Sequence, residues 1–183
     1  MKCLLACSSL LFAAALIAQT AAPKAPPLSP AATASVTIAG HAITIDYSSP
    51  AVRGRAGKLF GKDGRISQDP TYPAWRAGAN TATKLHTDAE LDLGGLIVPK
   101  GDYTLFVDIS DPAQWVLIVN KQVGQWGTVY DKAQDLGRVT MLMEKPPALV
   151  ENLKYTLRDL GGGKGKLSLL WENLCGSISF TVK

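Results

Sequence analysis

Seven polar and aromatic residues in irregular parts of the sequence carry the side chains best suited to binding a ligand. They fall in two segments and are Trp75, Arg76, Asn80, Asn120, Gln125, Trp126 and Tyr130. An arginine can hold an anion through two parallel hydrogen bonds, and an asparagine amide can both donate to and accept from hydroxyl groups. A tryptophan face suits a sugar ring or an apolar ligand. The same residue types also hold turns and plug the ends of β-sandwiches, so a structural role stays open.

The sequence contains no motif typical of a catalytic centre. It has no glycine-rich phosphate loop after a strand, no Gly-x-Ser-x-Gly elbow and no Cys or His pair with metal-ligand spacing. The two histidines, His41 and His86, fall on different predicted elements, so we expect no metal site and no cofactor. A glycosidase-like carboxylate pair could form across strands, but no spacing singles out two residues. The carboxylates in question are Asp46, Asp88, Glu90 and Asp92.

Residues 48–79 form a segment too rich in glycine and proline to be a strand. A loop of this length inside a compact domain is either functional or poorly ordered. It concentrates six cationic residues: Arg53, Arg55, Lys58, Lys62, Arg65 and Arg76. These cations form either a solvated loop surface or a wall that binds anions.

From Ala34 onward the apolar residues alternate with period two between turn residues, and helical periodicity is almost absent. This pattern predicts an all-β fold, an antiparallel β-sandwich or flattened barrel of about ten short strands with little helix. The strongest predicted hairpin joins residues 103–109 to residues 115–119. Gly40-His41 predicts a second, tight hairpin turn.

The amino terminus has the layout of a secretory signal peptide, because Lys2 precedes an apolar run over residues 4–18. We predict a signal peptide over residues 1–22, cleaved after Ala18 or Ala22. A Pro/Ala-rich flexible tether over residues 23–33 follows it. A lipoprotein acylated on Cys7 is the less favoured alternative, since most of the apolar core follows that cysteine. The protein is therefore expected in the periplasm or outside the cell, with no transmembrane anchor in the mature chain.

Residues 34–183 have the size of one domain. The formal net charge of +4 is spread along the chain with acidic residues interleaved, so we expect no nucleic-acid partner. Cleavage would leave Cys175 as the one cysteine of the mature chain, which precludes an internal disulfide. We predict that Cys175 is a small buried residue rather than a reactive thiol.

Four motifs follow one another along the domain. They are Tyr47-Ser48-Ser49-Pro50-Ala51-Val52-Arg53-Gly54-Arg55, Trp75 to Thr83, Gly101 to Phe106, and Trp115 to Tyr130. In order and spacing they resemble the motifs of the exported bacterial domain-of-unknown-function family twenty-nine eleven. The resemblance covers the chain from about Ala34 to the carboxyl terminus. It implies a secreted or periplasmic β-rich domain with no assigned activity.

These observations together predict an exported, non-enzymatic binding or scaffolding module with a possible small-molecule or glycan ligand. The alternative is a hydrolase of envelope or extracellular glycans. In either case we expect the site between residues 48–80 and residues 120–130, because loops on a rigid sheet are where binding residues concentrate.

Overall fold

The computed structural model describes residues 27–183, in which thirteen strands form two antiparallel sheets. The strands are β1 (Ala31–Ile38), β2 (His41–Ser48), β3 (Ala74–Trp75), β4 (Thr83–Thr87), β5 (Leu91–Leu93), β6 (Leu96–Val98), β7 (Gly101–Asp108), β8 (Val116–Asn120), β9 (Asp135–Thr140), β10 (Leu142–Glu144), β11 (Val150–Gly161), β12 (Lys164–Glu172) and β13 (Leu174–Val182). The first sheet has the order β1-β2-β4-β7-β8-β9, with β3 beside β7. The second has the order β11-β12-β13-β5-β6, with β10 beside β13. The predicted all-β antiparallel sandwich is confirmed.

The predicted signal peptide and the first part of the predicted tether lie outside the described residues. Strand β1 begins at Ala31, within the stretch predicted as tether, because its residues pair along β2 and make β1 the edge strand of the first sheet. The turn that joins these two strands is Ala39-Gly40, one residue earlier than predicted, and both residues have positive φ angles of 51° and 83°. This geometry fits a two-residue hairpin loop with left-handed backbone.

The hairpin of β7 and β8 lies in the middle of the first sheet, as its apolar sequence predicts, with Phe106 opposite Ile118. The segment Lys121–Gln134, here called the strap, covers the outer face of this hairpin. Tyr130 of the strap packs on Phe106 with ring centroids 4.9 Å apart. The strap explains why β8 is apolar on both faces, since one face meets the second sheet and the other meets the strap.

Four aromatic residues fill one end of the space between the sheets. Trp75 and Trp171 stack with ring centroids 5.8 Å apart and an interplanar angle of 16°. Trp115 meets Trp75 edge to face at 6.0 Å, and Phe60 contacts all three tryptophans. Three indoles and a phenyl ring therefore close this end of the core, where offset and edge contacts between rings are favourable.

The long segment before β3 is ordered and packs against this end of the sandwich. Its apolar residues Val52, Leu59 and Ile66 are buried in the main core. The amide of Val52 donates to the carbonyl of Glu151 at 2.8 Å, which ties the segment to β11. A 3₁₀ helix, Arg65–Gln68, follows, and it is one of two such short helices in the described chain. No helix between residues 27 and 183 is long and apolar enough to cross a membrane.

Candidate functional site

A cavity of about 530 Å³ lies at the end of the sandwich, between the long segment and the start of β3. Trp75 and Trp171 lie at its base, but they are only 2% and 4% exposed and belong to the packed core. Four guanidinium groups line it, and we call this cavity the arginine pocket: Arg53, Arg55, Arg65 and Arg76. A cavity of this size lies within the range typical of small-molecule sites.

Backbone carbonyls hold two of these arginines in place. Arg55 donates from Nε to the carbonyl of Val52 at 2.8 Å and from Nη2 to the carbonyl of Ala51 at 2.7 Å. Arg53 donates from Nη2 to the carbonyl of Leu28 at 2.8 Å. Neutral carbonyls orient a guanidinium without cancelling its charge, and each guanidinium has five N–H donors. Both side chains therefore keep charge and donors for a ligand.

The other two arginines come from the 3₁₀ helix and from the residue after β3. Arg65 donates from Nη1 to the Oε1 atom of Gln68 at 2.9 Å. Arg76 forms an ion pair with Asp69, and the two side chains are 14% and 13% exposed. Within residues 27–183, Asp69 is the one carboxylate that pairs with any of the four arginines. The lining thus carries four positive charges against one negative charge, an arrangement that attracts anions.

The strap approaches the pocket through Gly127. A Cβ atom at this position would overlap the side chain of Arg76 and would lie 2.7 Å from the carbonyl oxygen of Asn80, so the contact requires glycine. The Gly127 amide donates to that carbonyl at 2.9 Å. The structure therefore brings Arg76 and Asn80 close to residues 125–127 of the strap.

The other predicted residues at this junction are Asn80, Gln125 and Trp126. None of them lines the arginine pocket. Trp126 is 53% exposed, and its backbone bridges to Thr81. Asn80 donates to the Oγ atom of Ser48 at 3.4 Å, and Gln125 accepts from Thr104 at 3.4 Å. Asn80 and Trp126 are exposed to solvent, whereas Gln125 is half-buried.

Asn120 has a structural role at the base of the strap, where it is fully buried. Its amide donates to the carbonyl of Asp131 at 2.9 Å and to the Oδ1 atom of Asp135 at 3.0 Å. Its side-chain oxygen accepts from the amide of Gln122 at 3.0 Å. Asn120 therefore joins the two ends of the strap, and its side chain has no donor left for a ligand.

Tyr130 belongs to a polar cluster beside this clamp. Its hydroxyl donates to the Oδ2 atom of Asp135 at 2.8 Å and accepts from Arg138 at 2.6 Å. Burial, and then the hydrogen bond to Asp135, raise the pKa of Tyr130 to about 12. The hydroxyl is thus a fixed, neutral donor and acceptor at ordinary pH.

The histidines and the remaining carboxylates lie elsewhere. The ring nitrogens of His86 on β4 lie 2.8 Å from the Oδ1 atom of Asp102 and 3.0 Å from the Oδ1 atom of Asp88, and these hydrogen bonds raise the pKa of His86. The bonds to His86 lower the pKa of both carboxyls in turn. Asp46 bonds to Thr33 on the open face of the first sheet, while Asp92 lies on β5 in the second. No group of three potential metal-binding side chains occurs within residues 27–183.

Cys175 is buried on β13, as the sequence predicted. Burial, and then the charge of Glu144, raise the pKa of its thiol. A buried thiol with a raised pKa is a poor nucleophile.

The sequence-based set of site residues missed Arg53, Arg55, Arg65 and Asp69. A signal for them was present, since six cations were concentrated in residues 48–79 and an anion-binding wall was one of two interpretations. Four of those six cations line one cavity. The sequence does not predict the path of the irregular segment over residues 48–79. That path determines which of its side chains converge.

Comparison with known proteins agrees with the motifs. A family model described as Protein of unknown function (DUF2911) matches residues 29–180. A search of curated proteins and a search of solved structures each found no match.

Proposed function

The chain belongs to the family Protein of unknown function (DUF2911), and we propose that it is an exported, non-enzymatic module that binds a small organic anion in the arginine pocket. The observation that carries the proposal is the charge of the lining, four arginines against the single carboxylate of Asp69. Arginine forks match carboxylate and phosphate groups geometrically. The stacked indoles of Trp75 and Trp171 close the base of the pocket as part of the core.

The alternative, a hydrolase of envelope or extracellular glycans, has less support. Glycoside hydrolysis needs two carboxyl groups on either side of the scissile bond. Asp69 is the one carboxylate in the lining of the arginine pocket, so the lining lacks the second carboxyl group. A binding role needs no second carboxyl group, only the guanidinium groups that line the pocket.

The test is a titration of the purified protein with phosphate, citrate and galacturonate, followed by thermal shift and calorimetry. A ligand that binds the folded form raises its melting temperature by mass action. Arg65→Gln removes a guanidinium group whose one side-chain hydrogen bond goes to Gln68, so the fold should tolerate the substitution. Loss of one charge-assisted hydrogen bond, worth about 1.5–3 kcal/mol, should weaken anion binding roughly tenfold or more.

Arg158→Gln is the matched control, because Arg158 is exposed on β11 and does not line the pocket. It should leave anion affinity unchanged. Affinity should also fall as salt is added, since charged groups near the surface are screened. If none of the three anions binds, or if both variants weaken binding equally, the proposed function is wrong.

Export is tested separately. The apolar run after Lys2 predicts that cells release a processed chain, so fractionation of expressing cells and mass spectrometry of the mature amino terminus should show cleavage after Ala18 or Ala22. A full-length chain that remains in the cytoplasm would contradict this part of the proposal.

A further inference from the structure

We propose that the anion is part of an acidic oligosaccharide, which extends from the arginine pocket into a second cavity beside it. This inference rests on the proposed function, and it adds the chemical class of the ligand. The second cavity has a volume of about 450 Å³, and we call it the tyrosine cavity after Tyr72 and Tyr130 in its wall. Pro70 lines both cavities, so they adjoin at this residue.

Aromatic and polar groups are combined in the tyrosine cavity in the way that sugar recognition requires. A sugar ring has an apolar face, which can pack on an aromatic ring such as Tyr72 or Tyr130, and hydroxyl groups at its edge, which need fixed partners. Arg138 supplies such partners from a held position, since Tyr130 and Asp135 accept from it and Asp108 pairs with it at 3.3 Å. Preorganised side chains of this kind lose little entropy on binding.

Thr71 is an independent indication of a ligand. It lines the tyrosine cavity immediately after Pro70, and its Oγ1 atom is buried with no hydrogen-bond partner within the described residues. Buried polar atoms are nearly always paired, so an unpaired hydroxyl at a cavity wall needs an explanation. The Oγ1 atom is closed to solvent in the free protein, so rotation of the Thr71 side chain toward the cavity would let a hydroxyl group of a bound sugar provide the missing partner.

The cations in the walls of both cavities favour an acidic oligosaccharide over a neutral one. The arginine pocket holds the excess of guanidinium groups described above, which suits the carboxylate of a uronic acid. Lys132 adds a further cation to the wall of the tyrosine cavity and pairs with no carboxylate within residues 27–183. The one carboxylate in this wall, Asp108, is neutralised by its ion pair with Arg138. A chain of uronic acids carries a carboxylate on each ring, so it would meet cations in both cavities.

The experiment compares galacturonate, trigalacturonate and the neutral trisaccharide maltotriose by calorimetry on the purified protein. We expect the acidic trimer to bind at least about tenfold more tightly than the monomer, because it reaches both cavities. The neutral trimer should bind far more weakly. Thr71→Val removes an oxygen that has no partner in the free protein, so the fold should not lose a hydrogen bond.

Thr71→Val should reduce the ratio of the two uronate affinities roughly threefold to tenfold, the equivalent of one hydrogen bond. Tyr72→Leu is the second variant and should reduce the same ratio. Arg158→Gln is again the control and should leave the ratio as it is. Equal affinities for monomer and trimer, a ratio that neither variant changes, or equal binding of maltotriose would each overturn the inference. Binding of the monomeric anions without a gain from chain length would leave the proposed function intact, whereas failure of every anion would overturn both.

Discussion

Replacing Asp69 by asparagine should destabilise the fold and strengthen anion binding at the same time. In the free protein Asp69 is the counter-charge of Arg76, and both side chains are largely buried. Asparagine keeps the shape and one carbonyl acceptor but removes the charge. Arg76 then stands mostly buried without a neutralising partner, and its guanidinium becomes available to a ligand.

The size of the stability loss follows from the burial of the pair. Breaking a fully buried ion pair costs about 3–5 kcal/mol, because it leaves one charge uncompensated. The two side chains are 14% and 13% exposed and asparagine retains an acceptor, so we expect a loss of about 2 kcal/mol. For a domain of this size, that corresponds to a melting temperature lower by about 4–8 °C.

The same substitution should raise the affinity for anions. A fourth arginine freed for the ligand adds a charge-assisted hydrogen bond, which is worth about 1.5–3 kcal/mol and raises affinity roughly tenfold or more. Thermal unfolding measures the first effect and calorimetry with citrate measures the second. Asp63→Asn is the control, since Asp63 is exposed in the same segment and has no ion pair within residues 27–183. Weaker or unchanged anion binding in Asp69→Asn would refute the assignment of Arg76 to the binding surface.

Three further changes test other parts of the structure. His86→Asn should lower the melting temperature more at pH 5.5 than at pH 8. The reason is that two aspartates raise the pKa of His86, so its stabilisation, complete below about pH 6.5, is lost as pH rises through that raised value. Equal losses at the two pH values would contradict this. Asn120→Ala should lower the free energy of unfolding by about 3 kcal/mol through three lost hydrogen bonds, and it should speed tryptic cleavage of the strap. Asn152→Ala, at an exposed position of β11, should do neither. In a urea titration, Trp115→Ala should lower the free energy of unfolding by about 4 kcal/mol. Trp115→Phe should lower it clearly less, since the indole N–H is buried without a partner in the described chain. Equal losses in the two variants would contradict this reasoning.

The regular part of the fold could be predicted because its pattern is local. Alternation over residues 103–109 and the apolar run over residues 115–119 suffice to predict the central hairpin, which the structure confirms as β7 and β8. The short strands β3 and β10 have two and three residues, too few to show a period. They form because longer neighbours offer hydrogen bonds, and a sequence pattern does not contain that information.

The candidate site could be predicted in part only, because its residues depend on contacts between distant segments. Arg76 was identified from its own type and neighbourhood. The positions of Arg53 and Arg55 depend on how the long segment lies on β11, through bonds such as that between Val52 and Glu151. Asn120 was identified for the same reason as Arg76, yet its amide is taken up by the strap. Residue type alone does not separate a ligand donor from a loop clamp.

Backbone strain supports the view that the arginine pocket is more than a by-product of packing. Within residues 27–183, five residues other than glycine have positive φ angles, and three of them lie in or next to the lining and outside the hairpin turns: Arg53, Ala77 and Asn80. The other two, Ala39 and Glu172, are in the two-residue turns of the β1–β2 and β12–β13 hairpins, which favour this conformation. A left-handed residue with a side chain costs on the order of 1 kcal/mol, and such costs cluster at functional sites, where the fold over-determines the backbone. Here the buried residues Val52, Leu59 and Ile66 anchor the segment, so the core stabilises a backbone that holds four guanidinium groups around one cavity.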